Sequence, residues 1–125
     1  MKIAVIITRV LMGGMFLFAS IVVLFNLIPH PEVTGKVKVF MDGMAATGYL
    51  LTTVKIFELL CGAAFIIGKF VPLAAVVIFP IILNILMFHI FMDHSGLPIA
   101  ILLMIGDLFL AYYYREKYKP LFVAK

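Results

Sequence analysis

The chain has few charged residues: Asp, Glu, Lys and Arg make up 13% of its 125 positions, while 66% are hydrophobic and the mean hydropathy is +1.24. A soluble domain is about half apolar and about one quarter charged. A soluble chain this short cannot bury so much apolar surface, so lipid must cover much of it. The composition therefore argues against a soluble globular protein and predicts a single membrane domain over residues 1–125.

Cysteine is nearly absent, since Cys61 is the only one. A single cysteine excludes an intramolecular disulfide and a C-x-x-C pair, which argues against a four-helix thiol–disulfide oxidoreductase coupled to quinone. His89 and His94 are five residues apart near a helix end, a poor arrangement for ligands of haem or of a metal ion. We therefore predict no metal site, no intrinsic cofactor and no catalytic residue, and we interpret Cys61 as a small packing residue.

Four long apolar runs are present, at about 3–28, 49–68, 71–92 and 97–114. A helix rises about 1.5 Å per residue, so each run is long enough to cross, or nearly cross, a hydrocarbon core about 30 Å thick. We predict an all-α fold, an integral membrane four-helix bundle. The turn at Lys69 and Phe70 is so short that the second and third spans must be antiparallel neighbours, and Pro80 predicts a kink in the third.

The start of the chain resembles a signal peptide, because Lys2 and Arg9 precede an apolar run. That run is too long for a typical signal peptide and no A-x-A cleavage site follows it, so we expect an uncleaved helix. It should end at residue 28, because Pro29 and Pro31 follow. Residues 30–48 form the one substantial loop. Apolar residues recur there at helical spacing and predict a short interfacial helix: Val37, Phe40, Met41 and Met44.

The distribution of Lys and Arg predicts the topology. The net charge of +4 does not suggest nucleic acid as a partner, because the basic residues cluster at helix ends. With four spans, the two loops on one side hold only Lys36 and Lys38. The side that carries the two termini holds more Lys and Arg residues. The positive-inside rule therefore predicts that both termini lie in the cytoplasm. Its basic residues are Lys2, Arg9, Lys69, Arg115, Lys117, Lys119 and Lys125.

A charged pair lies near the middle of the second span. Lys55 and Glu58 are three residues apart, so they share one face of a helix. An ionised group at mid-bilayer costs roughly 3 kcal/mol on insertion scales, and such groups usually face the interior of a bundle. Asn84 in the third span lies at similar depth, so we expect it opposite the pair. Lys55, Glu58, Asn84 and His89 are the candidates for a ligand or proton site; alternatively, the pair only fixes helix register and Asn84 only bonds between helices.

A second polar pair is predicted between the first and fourth spans. Asp107 lies roughly 15 Å into the fourth span, and the long side chain of Arg9 can reach toward that depth. We expect Arg9 and Asp107 to form a buried ion pair, mainly structural in role. His89 is five residues from Asn84, so the two point roughly 140° apart on a helix. His89 is better placed to meet Asp93, one turn later.

Several stretches resemble the DoxX family of small membrane proteins. RVLMGGMFLFAS, with Arg9, Gly13 and Phe16, resembles its first helix, although Ser20 stands where the family commonly has glycine. KIFELLCGAAFIIGKFVPLAAVVI, with Glu58, resembles its second and third helices, and NILMFHIF and YKPLF resemble the DoxX-like branch. The resemblance covers nearly the whole chain. It implies a multi-pass protein of the bacterial inner membrane, and family members include subunits linked to membrane sulfur oxidation through quinone.

Three functions remain open from the sequence. The first is a redox-associated membrane subunit that contacts quinone near Glu58 and receives electrons from a partner protein, since the chain has no cofactor motif. The second is a non-enzymatic assembly, chaperone or lipid-binding bundle that holds another membrane segment. The third is a small transporter, which we discount because small multidrug exporters carry their acidic residue in the first helix, where this chain has Arg9.

Overall fold

A computed structural model describes residues 2–25 and 34–122, and these are almost entirely helical. The predicted end of the first helix at residue 28, together with Asn26, Pro29 and His30, lies outside the described residues. Single 3-10 turns cover His94–Gly96 and Lys119–Phe122. The α-helices are α1 (Lys2–Leu24), α2 (Gly35–Ala46), α3 (Leu50–Ile67), α4 (Val71–Phe91), α5 (Leu97–Tyr113) and α6 (Arg115–Tyr118).

Four of the described helices, α1, α3, α4 and α5, are long and apolar enough to cross a membrane. This confirms the predicted all-α membrane bundle, and the observed bounds of α3, α4 and α5 differ from the predicted spans by only one residue at an end. The spans expose many large apolar side chains, among them Leu11, Leu60, Leu73 and Leu102. Such a surface is stable in lipid, where apolar side chains need no burial.

The four spans form a ring in which α1 packs on α3, α3 on α4, α4 on α5 and α5 on α1. Their inward faces form one core, with Phe16, Phe65, Ile78 and Leu110 almost fully buried. We call the end of the bundle that carries α2 and residues 93–96 the loop end. The opposite end, with the start of α1, the 68–70 turn and residues 114–122, is the terminal end.

The turn between α3 and α4 has the predicted tightness. Gly68 ends α3 in the left-handed region with φ 84°, and Phe70 follows with φ 60°. Glycine adopts that conformation without strain, and Pro72 suits the first turn of α4, where its missing N–H has no helical partner. The turn therefore makes α3 and α4 antiparallel neighbours. Further along the chain, α4 continues without interruption through Pro80.

The predicted interfacial helix is present as α2. It has no fully buried residue, and an exposed Lys38–Asp42 ion pair of 2.8 Å runs along its outer side. Asp42 raises the pKa of Lys38 by its hydrogen bond and its charge. On the inner side, the ring of Phe40 packs 5.3 Å from the ring of Phe88 on α4. This aromatic contact holds α2 against the loop end of the bundle.

The short helix α6 returns to the bundle at the terminal end. The hydroxyl of Tyr118 donates a hydrogen bond of 2.7 Å to the carbonyl of Pro72 in the first turn of α4. Burial raises the pKa of Tyr118, and nearby Asp107 and Tyr114 add to the effect. The chain beyond α5 is therefore fastened to the bundle close to Asp107.

Candidate functional site

The central feature of the site is the predicted charged pair on α3. Lys55 Nζ lies 3.0 Å from Glu58 Oε2, and the side chains are only 18% and 4% exposed. Glu58 is roughly 12 Å below the loop end of α3, close to the middle of the span. Burial of a carboxylate at this depth requires a partner, and Lys55 one turn closer to the loop end supplies the opposite charge.

Glu58 is not fully satisfied by Lys55. Its Oε2 atom is buried and has no hydrogen bond of good geometry among the described residues. Lys55 Nζ, 3.0 Å from this oxygen, compensates its charge as an ion pair. A buried acceptor left in this state is costly, so the position favours a further donor.

One turn below Glu58, α1 and α3 cross at close range. A Cβ atom added to Gly62 would lie 3.0 Å from the carbonyl oxygen of Gly13, and one added to Gly13 would lie 2.8 Å from the carbonyl oxygen of Gly62. Only glycine at both positions allows this approach. The helices are antiparallel, so Glu58 lies level with Leu17, whose backbone also touches the crossing. Below Glu58 the crossing therefore leaves no space for a side chain at position 13 or 62.

A second buried carboxyl group lies on α5. Asp107 is only 1% exposed, and its Oδ1 atom has no hydrogen-bond partner within the described ranges. The neighbouring Gly106 packs against Thr8 and Met12 of α1. Asp107 itself shares the buried face of α5 with Leu103 and Leu110, so it points into the core of the bundle.

Arg9 and Asp107 do not form the predicted ion pair. The Arg9 Nε atom instead donates a 3.0 Å hydrogen bond to the carbonyl of Phe65, and its guanidinium lies over Gly68 at the end of α3. The reason is that Arg9 lies on the face of α1 that packs against α3, not on the face that packs against α5. Arg9 and Gly13 face α3, whereas Thr8 faces α5, so Arg9 neutralises the C-terminal end of α3.

Asn84 does not lie opposite Lys55 and Glu58, so the predicted grouping is incorrect at this residue. Its side chain is exposed on the outside of α4. Buried Ile78 and Ile82 define the inward face of α4, and Asn84 follows Ile82 by two residues, which is about 200° of rotation. Similar depth in the membrane does not determine which face of its helix a residue occupies.

His89 lies at the loop end, separate from Glu58. Its Nδ1 atom is 2.8 Å from the backbone carbonyl of Asp93, so Nδ1 carries the proton and donates. The ring packs directly against Gly96. The predicted meeting with Asp93 is present, but it involves the backbone. The Asp93 carboxylate accepts from the hydroxyl and the N–H of Ser95, which lowers the pKa of Asp93.

Two polar contacts, made by Ser20 and Tyr118, were not predicted from the sequence. Ser20 is fully buried on α1, and its hydroxyl bonds back to the carbonyls of Phe16 and Leu17. The spacing from Phe16 to Ser20 is one helical turn, which is the only sequence signal for its burial. The Tyr118 contact with α4 has no sequence signal. No group of three metal-ligating side chains occurs in residues 2–25 and 34–122.

Four membrane-crossing helices around two buried carboxyl groups define a small multi-pass membrane protein. The DoxX family model matches residues 4–92, most of the chain, and the protein belongs to the DoxX family. The matched part contains both partners of the Gly13–Gly62 crossing and the Lys55–Glu58 pair. Neither a curated protein nor a solved structure matches the chain.

Proposed function

We propose that the protein is a quinone-linked subunit of a membrane redox system, with Lys55 and Glu58 as the polar end of a quinone site. The observation that carries the proposal is the buried Glu58, which keeps an acceptor without a hydrogen bond beside a partly exposed lysine. Intramembrane ionisable groups usually serve substrate or proton paths. The proposed location is the bacterial inner membrane, with both termini in the cytoplasm because Lys and Arg are concentrated at the terminal end.

The pair has the chemistry that a quinone headgroup requires. The ammonium of Lys55 can donate a hydrogen bond to a quinone carbonyl, and its side chain is 18% exposed, so the pair is not sealed inside the bundle. A quinol hydroxyl can donate to Glu58, which supplies the missing hydrogen bond. Reduction of a quinone consumes two electrons and two protons, and a carboxyl group beside the carbonyl is suited to pass a proton.

The electrons must come from another protein. Cys61 is the only cysteine and is buried, so it offers no dithiol couple. We therefore expect a redox-active partner in the same membrane, and this chain supplies the site at which quinone is held and protonated.

The test is the quinone content of purified variants. Glu58→Gln is nearly isosteric and removes the charge, so it should retain the fold and lose co-purified quinone, measured by lipid extraction and mass spectrometry. Glu116→Gln is a matched control, because Glu116 also pairs with a lysine three residues away at 3.0 Å but is largely exposed. It should leave both quinone content and melting temperature unchanged.

The structural alternative predicts a different pattern. If the pair only fixes helix register, Glu58→Gln leaves Lys55 buried without its partner and lowers stability by about 3–5 kcal/mol. The Glu58→Gln/Lys55→Met double variant should then recover that loss. Recovery in the double variant with quinone content unchanged throughout would refute the site. Wild-type protein without quinone, but with a stoichiometric membrane-protein partner, would favour an assembly bundle.

A further inference from the structure

We propose that the outward face of α4 is a contact surface for a second copy of this chain, with Asn84 hydrogen-bonding to Asn84 across a twofold axis. Asn84 is exposed on α4 and has no hydrogen-bond partner in the part of the chain that the structure describes. It lies roughly 10 Å below the loop end of α4. At that depth the surrounding medium is hydrocarbon, which offers an amide neither donor nor acceptor.

The residues around Asn84 form a continuous exposed stripe. Successive members are three or four residues apart, so they lie on one face of α4 that a second helix can pack against. All six are exposed, so nothing in the described structure covers them. The stripe consists of Leu73, Val76, Pro80, Asn84, Met87 and Phe91.

A second polar group lies on the same face. Pro80 has no N–H, so the carbonyl of Val76 lacks the donor that an α-helix supplies four residues later. The stripe therefore combines apolar contact area with an amide and a backbone carbonyl that are not paired in the regular way. Lipid satisfies the apolar part alone, whereas a neighbouring helix can satisfy both.

A second copy is the occupant that this surface fits. Two copies inserted in the same direction place identical residues at identical depth, so each Asn84 meets its equivalent if the α4 helices pack face to face. A carboxamide both donates and accepts, and two of them form reciprocal hydrogen bonds. Asparagine hydrogen bonds across membrane helices are known to stabilise association. Any other partner must carry a matching polar group at the same depth.

The test measures dimerisation of the full chain in lipid vesicles. Association is followed by energy transfer between labelled copies as the protein is diluted with lipid. Asn84→Leu, which removes the amide at similar size, should raise the dissociation constant about tenfold, equivalent to about 1.4 kcal/mol. Asn84→Gln retains the amide and should keep most of the association. The melting temperature of the monomer, measured at high lipid dilution, should be unchanged, because Asn84 is exposed and has no hydrogen bond within the described part of the monomer.

Cysteine cross-linking tests the position of the contact. In a Cys61→Ala background, Met87→Cys should form a disulfide-linked dimer under copper phenanthroline, because Met87 lies one turn from Asn84 on the stripe. Leu102→Cys is the control, since Leu102 is exposed on α5, away from the stripe. Monomeric wild type at every dilution, equal cross-linking at both sites, or unchanged dimerisation of Asn84→Leu would each overturn the proposal. A different protein cross-linked through Met87→Cys in place of a second copy would also overturn it.

Discussion

Replacement of Gly13 by alanine tests the close crossing of α1 and α3 beneath Glu58. The added Cβ would lie 2.8 Å from the carbonyl oxygen of Gly62 and 2.8 Å from a side-chain carbon of Ile66. Ordinary contact begins near 3.4 Å, so the helices must separate locally by about 0.6 Å. Ile66 can adjust, but the backbone of α3 cannot adjust without moving the helix. Overpacking of this kind costs about 1–3 kcal/mol.

Gly14→Ala is the matched control, because a Cβ at Gly14 meets nothing within 4 Å. Alanine also has a higher helix propensity than glycine, by about 1 kcal/mol in water. Both variants receive that gain, so the difference between them isolates the crossing. We expect Gly13→Ala to be less stable than Gly14→Ala by about 1–3 kcal/mol, measured by reversible unfolding in mixed micelles with circular dichroism. Equal stability of the two variants would refute the close crossing.

Two further predictions concern the terminal end of the bundle. Arg9→Met should lower stability by about 1–3 kcal/mol, because it removes a charged hydrogen bond to the carbonyl of Phe65; a melting temperature equal to wild type would contradict this role. Tyr118→Phe should cost about 1 kcal/mol, because it removes the bond to Pro72. Faster hydrogen exchange in residues 115–122 should accompany that loss, whereas Tyr112→Phe should leave the exchange unchanged.

The fold could be read from the sequence because length and hydropathy determine how many helices cross a membrane. The Lys55–Glu58 pair could be predicted for a similar reason, since both residues lie on one helix and their spacing determines their contact. Asn84 and Arg9 could not be placed in the same way. Their placement depends on which face of the helix points toward a neighbour. Membrane helices expose apolar residues on every side, so hydrophobic periodicity does not reveal which face points inward.

The position of Arg9 determines which buried carboxyl groups in the bundle interior have a cationic partner. Had Arg9 paired with Asp107, the interior would contain two neutralised ion pairs and need nothing more. Arg9 instead binds at the C-terminal end of α3. Among the described residues, Lys55 is then the one ammonium that forms an ion pair with either buried carboxyl group, and its partner is Glu58.

The carboxyl groups of Glu58 and Asp107 each keep one buried oxygen without a hydrogen bond in the described part of the chain. Unsatisfied acceptors of this kind are rare in interiors that serve packing alone. A proton or the hydroxyl of a bound quinol can supply the hydrogen bond that these two oxygens do not receive from the described residues. These unpaired carboxyl oxygens therefore connect the structure of the bundle to the proton and quinone chemistry proposed for it.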